Sequence, residues 1–365
     1  MSKRTAFETI IFFLGFLLIL FIVTTLFIPK EDVSSDPPPI VNLLISPYLI
    51  SEKLDGFYSE EPHSLDVVFL GSSNVNCDIN PNVIWDRFGI TSYNFTSEQQ
   101  ELGTSYYYLK QMFETQSPKV VFIDVFKSGS ERSIENVQAH FAFDYMKHDL
   151  NRAEAIWNRT TKDRLEMFLP VIRYHERWKS LNRNDFLYRP GQHNRLKGAV
   201  IYMSARQTEP VTLPESIPQK TLPERTVFWL DSIRQLCREN DCACVFIKTP
   251  LAFYDEEMFT DYAAIEAYCR ENDVPFLFMN RMTEEIGIDF STDYADQLHF
   301  NWNGQKKLSI YLGNYLRENY RLPDKRGMEG YAQWDEDHRV MMDYIDNFDS
   351  LYAKAQEQSH PSSQP

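Results

Sequence analysis

The chain has 365 residues, 43% of them hydrophobic, which is enough to bury the core of one large domain or two small ones. Its formal net charge is −15. Because a protein that binds a phosphate backbone needs a basic surface to replace the counterions, this charge argues against nucleic acid as a partner.

An uncharged apolar run lies near the start of the chain. Residues 9–28 read TIIFFLGFLLILFIVTTLFI and, at about 1.5 Å per residue, can cross roughly 30 Å of hydrocarbon. Lys3 and Arg4 precede the run, and acidic residues follow it. The pattern predicts a single-pass plasma-membrane anchor with residues 1–8 in the cytoplasm and the rest outside. A cleaved signal peptide is the alternative, but the run is long and no small-x-small site follows it.

The segment EDVSSDPPP at 31–39 is acidic and proline-rich, which predicts an extended linker over residues 29–42. The main domain is predicted at 43–325. A peripheral acidic helix is expected within 326–357, and a disordered tail at 358–365.

Five short apolar runs rich in β-branched and aromatic residues predict buried strands, at 65–70, 91–95, 120–125, 244–248 and 275–279. Helical patterns alternate with them, at 82–88, 102–113, 226–239, 255–271 and 304–318. This alternation predicts an α/β fold in which helices cover both faces of a parallel sheet of about five strands.

Residues 128–220 interrupt this pattern after the third predicted strand. The stretch is rich in aromatic residues and arginine, which predicts a helical insertion that serves as a cap or lid, or a structural extension with its own small core. Its cations Arg173, Arg177 and Lys179 alternate with Tyr174 and Trp178, so they could bind sugar rings and phosphate. An ordinary amphipathic helix explains the same pattern.

Two distant segments carry residues typical of a serine hydrolase. The first predicted strand runs into Gly71-Ser72-Ser73-Asn74, and Asp296-Gln297-Leu298-His299 precedes the last helix. A serine is a weak nucleophile until a base takes its proton, and that base needs a third group to fix its tautomer. We therefore predict Ser73 as nucleophile, His299 as base and Asp296 as its orienting partner, with Asp293 as an alternative orienter.

These segments, with Tyr93-Asn94-Phe95-Thr96-Ser97 after the second strand, resemble the sequence blocks of the SGNH/GDSL hydrolase family over about residues 65–321. The chain is most similar to a membrane-anchored branch that includes the D-alanyl transfer protein of teichoic acid modification and polysaccharide O-acetyltransferases. The resemblance implies a flavodoxin-like three-layer fold, and it assigns Ser73, His299 and Asp296 the same catalytic roles.

The family takes further oxyanion donors from a glycine after the second strand and an asparagine after the third, and this sequence departs from both positions. We expect Ser97 to offer a backbone N–H, with Asn74 or Gln100 adding a side-chain donor. Lys248, at the end of the fourth strand, could bind an anionic group of the substrate, and a solvated lysine at a strand end is the alternative that we favour.

The resemblance implies an extracytoplasmic acyltransferase that acts on acyl esters of a surface polysaccharide or teichoic-acid-like polymer. It also implies an acyl donor and, as a further partner, a polytopic membrane acyl exporter. The alternatives are a polysaccharide O-acetyl esterase and a catalytically inactive assembly or glycan-binding module.

The sequence predicts neither a cofactor nor a metal ion, because it contains no phosphate-binding glycine loop and its histidines lack ligand spacing. The five cysteines are expected mostly in the core, with a Cys237–Cys242 disulfide left open.

Overall fold

The computed structural model describes residues 2–29, 48–126, 128, 136–187, 191–212, 214 and 220–348. The predicted tail at 358–365 lies outside the described residues. So do nearly all of the predicted linker at 29–42, the last part of the predicted helical region at 326–357 and parts of the insertion at 128–220.

One parallel sheet forms the centre of the domain, with strand order β2-β1-β3-β4-β5. Its strands are β1 (Val67–Gly71), β2 (Ser92–Thr96), β3 (Val120–Asp124), β4 (Ala243–Lys248) and β5 (Phe276–Phe278). Every residue of β1, β2 and β3 is buried, as continuous apolar runs predict for strands covered on both faces. The five predicted strands and their parallel arrangement are confirmed, with small shifts at the strand ends.

The helices, in chain order, are α1 (Lys3–Phe27), α2 (Tyr48–Ser59), α3 (Ser73–Asp78), α4 (Pro81–Phe88), α5 (Leu102–Met112), α6 (Asn136–Phe143), α7 (Leu150–Arg159), α8 (Arg164–Phe168), α9 (Val171–Tyr174), α10 (Arg183–Leu187), α11 (Glu224–Glu239), α12 (Glu256–Glu271), α13 (Thr283–Ile286), α14 (Trp302–Asn319) and α15 (Ala332–Asp346). Short 3-10 helices lie at His175–Lys179 and Met279–Arg281.

Two hydrophobic clusters cover the two faces of the sheet. On one face, Val68, Val121 and Phe246 pack with residues of α2, α5, α11 and α12. On the other face, Phe69 and Phe122 pack with residues of α4 and α14. Because alternate residues of a strand point to opposite faces, adjacent positions such as Val68 and Phe69 enter different clusters. The result is the predicted three-layer α/β fold.

Helix α1 is long and apolar enough to cross a membrane. It has 25 residues, which corresponds to about 37 Å of helix. Its apolar side chains are exposed from Phe7 to Ile22, as expected for a surface that faces lipid.

The insertion is mostly helical from residue 136 to residue 187, whereas its described residues 191–212 form no helix, and α7 packs against α5. Asn151 donates a side-chain hydrogen bond to the carbonyl of Tyr107 over 2.8 Å, and Asn158 donates one to the Tyr107 hydroxyl over 2.7 Å. After α10 the chain returns along residues 194–203, which we term the return segment. The backbone N–H of Val200 in this segment donates to the carbonyl of Asn76 over 2.8 Å, next to the carboxyl edge of the sheet. Use of the insertion as a lid stays a prediction.

Helix α15 is tied into the domain by its buried residues. Trp334 packs against Trp85 of α4, and Asp337 is fully buried. The Asp337 carboxylate lies 2.7 Å from the ring Nε2 of His193 and 3.2 Å from the ammonium of Lys197. The helix therefore fixes the return segment against α4.

The five cysteines are free thiols. Cys77, Cys237, Cys242 and Cys269 are buried, which confirms the prediction of core residues for most of the set. The disulfide considered between Cys237 and Cys242 is not formed.

Candidate active site

All five strands of the parallel sheet end at one edge, and polar residues lie at or after several of these strand ends. In a parallel sheet the carboxyl ends of the strands meet at the same edge, which is where open α/β sheets place their sites. Strand β1 ends at Gly71, so Ser72 and Ser73 form the turn into α3. Ser72 is the N-cap of that helix, and Ser73 is its first residue.

Close packing beneath this turn leaves no room for a side chain at Gly71. A Cβ added at Gly71 would lie 2.4 Å from the Cβ of Asp124 and 2.7 Å from a methyl carbon of Val75. The Ser72 hydroxyl donates a 2.8 Å hydrogen bond to the Asp124 carboxylate, which is completely buried at the end of β3. Ser72 is thereby fixed toward the interior, while the neighbouring Ser73 is only partly buried.

The structure brings Ser73 and His299 together although 226 positions separate them in the chain. The ring Nε2 of His299 lies 2.9 Å from the Ser73 hydroxyl oxygen. The other ring nitrogen, Nδ1, lies 2.9 Å from Oδ2 of Asp296. The three side chains therefore form a continuous hydrogen-bonded series with the imidazole in the middle, the arrangement that lets a histidine accept a serine proton.

The turn that carries the histidine is built by Asp296 itself. Oδ1 of Asp296 accepts hydrogen bonds from the backbone N–H groups of Leu298 at 2.7 Å and His299 at 2.9 Å. An aspartate that binds backbone groups two and three residues ahead stabilises a turn. Asp293, the alternative orienter, instead binds Lys307 at 2.6 Å and the backbone N–H of Asp289.

The electrostatics of the pair suit a general base. Burial lowers the pKa of His299, but the hydrogen bond to Asp296 and the negative charge of that carboxylate outweigh burial and raise the pKa above its ordinary value. Burial also opposes ionisation of Asp296, yet its hydrogen bond with His299 lowers the net pKa of the carboxyl. Asp296 is therefore ionised wherever the histidine titrates.

Two residues of α3 hold the histidine turn in place, and sequence reasoning missed the role of both. The Asn74 side chain donates a 2.7 Å hydrogen bond to the carbonyl of Leu298. The Asp78 carboxylate accepts one from the backbone N–H of Phe300 over 2.8 Å. Residues on both sides of His299 are thus bonded to the helix that begins with Ser73.

The two predicted oxyanion donors after β2 bind each other. The side-chain oxygen of Gln100 accepts hydrogen bonds from the Ser97 backbone N–H at 2.8 Å and from its hydroxyl at 3.1 Å. The Gln100 amide in turn donates to the Ser105 hydroxyl over 3.0 Å. Both side chains are buried. In this conformation the Ser97 N–H, the Ser97 hydroxyl and one N–H of the Gln100 amide have internal acceptors, and a role for Ser97 or Gln100 as an oxyanion donor stays a prediction.

The other two predicted substrate contacts also have internal partners. Asn74 uses its side-chain amide to bind Leu298, as described above, so it positions the turn. Lys248 is fully buried, and its ammonium lies 3.9 Å from the Asp124 carboxylate. The exposed strand-end lysine that the sequence also allowed is not what the structure shows, because Lys248 is buried, and binding of an anionic substrate group by Lys248 stays a prediction.

The return segment adds a residue that sequence reasoning did not single out. The Tyr202 ring lies 6.1 Å from the His299 ring, centre to centre, and the tyrosine is mostly buried. The charge of Glu98 acts on both Tyr202 and His299, and the Glu98 carboxylate forms a buried ion pair with the Lys53 ammonium at 3.3 Å. No sequence motif could have placed Tyr202 here, since it depends on the path of the insertion back across the domain.

Within the described ranges, no cluster of histidine, cysteine, aspartate or glutamate has the arrangement of a metal site. The chemistry that the arrangement itself supports is nucleophilic attack by Ser73 with proton transfer to His299.

Among solved structures the chain is similar to a Bacteroides fragilis protein described as a "putative acylhydrolase", with 12% identity and a TM-score of 0.38. The match covers 76% of this chain and 100% of that chain. No family model and no curated protein matches the chain.

Proposed function

We propose that this chain is a serine-dependent acyltransferase, anchored by α1 at the outer face of the plasma membrane, that acts on acyl esters of a cell-surface glycopolymer. The observation that carries the proposal is the position of the His299 ring, 2.9 Å from the Ser73 hydroxyl and 2.9 Å from the Asp296 carboxylate.

The reaction proceeds in two steps. Ser73 attacks the acyl carbonyl carbon of the donor while its proton moves to Nε2 of His299, and the donor's leaving group then takes that proton as its bond to the acyl carbon breaks. An acyl ester on Ser73 remains. A sugar or polyol hydroxyl then attacks the ester carbonyl carbon while its proton moves to His299. The bond between the acyl carbon and Ser73 Oγ breaks as His299 gives that proton to Oγ.

A developing oxyanion needs N–H donors. We assign the backbone N–H of Ser73 as one of them, because the first N–H groups of a helix have no acceptor within the helix. Acyl transfer follows the resemblance to the anchored transferases. An acyl donor and a polytopic acyl-exporting membrane protein are the partners that this function requires.

Hydrolysis is the second candidate, and the exposure of Asp296 favours it. The Asp296 side chain is 44% exposed and the His299 side chain 10% exposed, so the triad borders solvent. Water could then accept the acyl group, as in a polysaccharide O-acetyl esterase. A non-catalytic assembly or glycan-binding module is the third candidate, favoured by the internal partners of Ser97 and Gln100.

Labelling by a fluorophosphonate probe separates an enzyme from a binding module. We expect stoichiometric labelling of the full chain at Ser73, with loss in Ser73→Ala and strong slowing in His299→Ala. Ser232→Ala is the matched control, because Ser232 is partly exposed on α11 and its hydroxyl donates a hydrogen bond to the Phe228 carbonyl of the same helix. An unlabelled, folded wild-type chain would favour the binding module.

The rate of acyl release from an activated ester, measured with and without an oligosaccharide acceptor, separates transfer from hydrolysis. Release that needs the acceptor, with the acyl group recovered on the sugar, supports the transferase. Release of the acyl group to water at the full rate without the acceptor would reject the transferase and support the esterase.

A further inference from the structure

The insertion contacts the carboxyl end of α1. Thr24 and Ile28 are 3% and 6% exposed, whereas the side chains from Phe7 to Ile22 are open. Helices α9 and α10 and the 3-10 helix between them contact α1. Arg177 of the 3-10 helix donates hydrogen bonds to the carbonyls of Phe27 and Ile28 at 3.0 and 3.1 Å, which satisfies groups that a helix end leaves open.

This contact fixes the height of the insertion relative to a bilayer that contains α1. The exposed apolar stretch from Phe7 to Ile22 corresponds to about 24 Å of helix, slightly less than the roughly 30 Å hydrocarbon thickness. About four more residues fill the remaining ~6 Å, so the end of α1 at Phe27 and Ile28 lies at the outer boundary of the hydrocarbon, next to the headgroups. Elements that pack on this end of α1 lie at the same level.

Helix α9, the 3-10 helix and α8, which packs on α9, carry exposed apolar side chains, and a cation lies beside one of them. Trp178 is 66% exposed, Leu165 62%, Ile172 39% and Phe168 37%. The Lys179 ammonium lies 5.7 Å from the centre of the Trp178 ring. Tryptophan and lysine with these properties are typical of membrane interfaces, where the ring enters the headgroup layer and the cation meets phosphate.

The segment is fixed to the rest of the insertion. The Tyr174 hydroxyl donates a 2.7 Å hydrogen bond to the Asp144 carboxylate, and the Arg177 guanidinium binds Asp185 at 2.7 Å. The ring of His148 also contacts the ring of Phe21 on α1. The apolar side chains are therefore presented by an ordered element, at a fixed position beside α1.

We propose that residues 164–179 form a membrane-interface surface, with Leu165, Phe168, Ile172 and Trp178 inserted among the lipid headgroups of the outer leaflet. The inference rests on α1 crossing the membrane. A sugar-binding role for Tyr174 and Trp178 is the rival, but contact of this segment with the end of α1 favours lipid. With α1 as a second attachment, the surface prevents the domain from rotating freely above the bilayer.

The test uses the full chain reconstituted into vesicles of phosphatidylcholine brominated near the top of its acyl chains, with tryptophan fluorescence as the readout. We expect lipid quenching that is mostly lost in Trp178→Phe and retained in Trp229→Phe, a control in which the removed ring is packed in the core. Circular dichroism and thermal unfolding verify that each variant is folded, whether or not the chain is an enzyme.

Alkaline carbonate extraction of the same vesicles tests separately whether α1 crosses the membrane. A chain that stays with the lipid, but whose Trp178 is quenched by aqueous iodide and not by brominated lipid, overturns the interface surface and leaves the span intact. If added dextran suppresses the iodide quenching of Trp178, the segment binds sugar and the membrane-interface surface is rejected. Extraction of the wild-type chain overturns the span and this inference together, while labelling of Ser73 is unaffected by either result.

Discussion

The side-chain amide of Asn74 donates a 2.7 Å hydrogen bond to the backbone carbonyl of Leu298. Asn74 follows the predicted nucleophile directly, and Leu298 precedes the predicted base. One hydrogen bond therefore links the two segments whose meeting the proposed chemistry requires. Because Asn74 is buried, a shift of either segment would leave its side-chain amide without this partner.

We predict that Asn74→Ala slows acyl-enzyme formation by about tenfold or more, because the turn that carries His299 loses a bond to α3. The unpaired Leu298 carbonyl should also cost about 1 to 3 kcal/mol of unfolding free energy. Asn82→Ala is the control, since the Asn82 amide donates a similar 2.8 Å bond to the Arg195 carbonyl in another part of the domain. Equal labelling rates in the two variants would exclude a positioning role for Asn74.

We predict that Asp296→Asn lowers the rate of ester turnover by about 10²-fold or more. The substitution should also move the acidic limb of the pH–rate profile to lower pH. The base must be neutral to accept the Ser73 proton, so wild-type activity falls as the pH drops through the pKa of His299. Asp296 raises that pKa, and an asparagine removes its charge. Ester turnover measured across the acidic range tests this. An unchanged limb would mean that His299 is not the titrating base.

Asp78 is completely buried, and burial raises its pKa to about 7. The folded state therefore holds the Asp78 proton more tightly than the unfolded state does. The resulting contribution to the free energy of unfolding is fully present below the ordinary pKa of 3.8 and is lost as the pH rises through about 7. Asp78→Asn keeps an acceptor for the Phe300 N–H, so we expect near wild-type labelling and a growing stability advantage as the pH rises through this window.

Asp78→Ala removes the acceptor as well, and we expect slower labelling at every pH because the residue after His299 loses its anchor. Thermal unfolding of the wild type and both variants across this pH range supplies the comparison. Identical pH profiles of stability in the wild type and Asp78→Asn would show that Asp78 does not titrate as described.

We predict that Gly71→Ala destabilises the domain by about 1 to 3 kcal/mol and slows labelling, because the new methyl group would displace Asp124 and Val75 beneath the Ser72-Ser73 turn. Gly15→Ala is the matched control, since the space around that position in α1 is open. Chemical denaturation in detergent gives the comparison. Wild-type stability in Gly71→Ala would mean that the turn tolerates a side chain there.

The sheet could be predicted from sequence because its strands are short apolar runs buried on both faces, and such runs carry a strong local signal. The spacing of Asp296 and His299 was also informative. Three residues allow contact only in a turn, and here the aspartate makes that turn with its own carboxylate.

The supporting contacts could not be predicted, because they join residues whose local sequence has no distinctive pattern. Ser97 and Gln100 have the right chemistry for oxyanion donors, but their mutual hydrogen bond is visible only in three dimensions. Lys248 likewise ends a strand at the correct edge, yet its ammonium is buried 3.9 Å from the Asp124 carboxylate. The position of Tyr202 depends on the path of a long insertion, for which helical periodicity gives no information.

Trapping of an acyl-enzyme tests the central proposal most directly. The full chain is mixed with an activated acyl ester, quenched in acid and analysed by intact mass and peptide mapping. We predict one acyl group per chain on Ser73, none in Ser73→Ala and a much slower appearance in His299→Ala. Acylation of another residue, or equal rates in wild type and His299→Ala, would contradict the role of the Ser73–His299 pair.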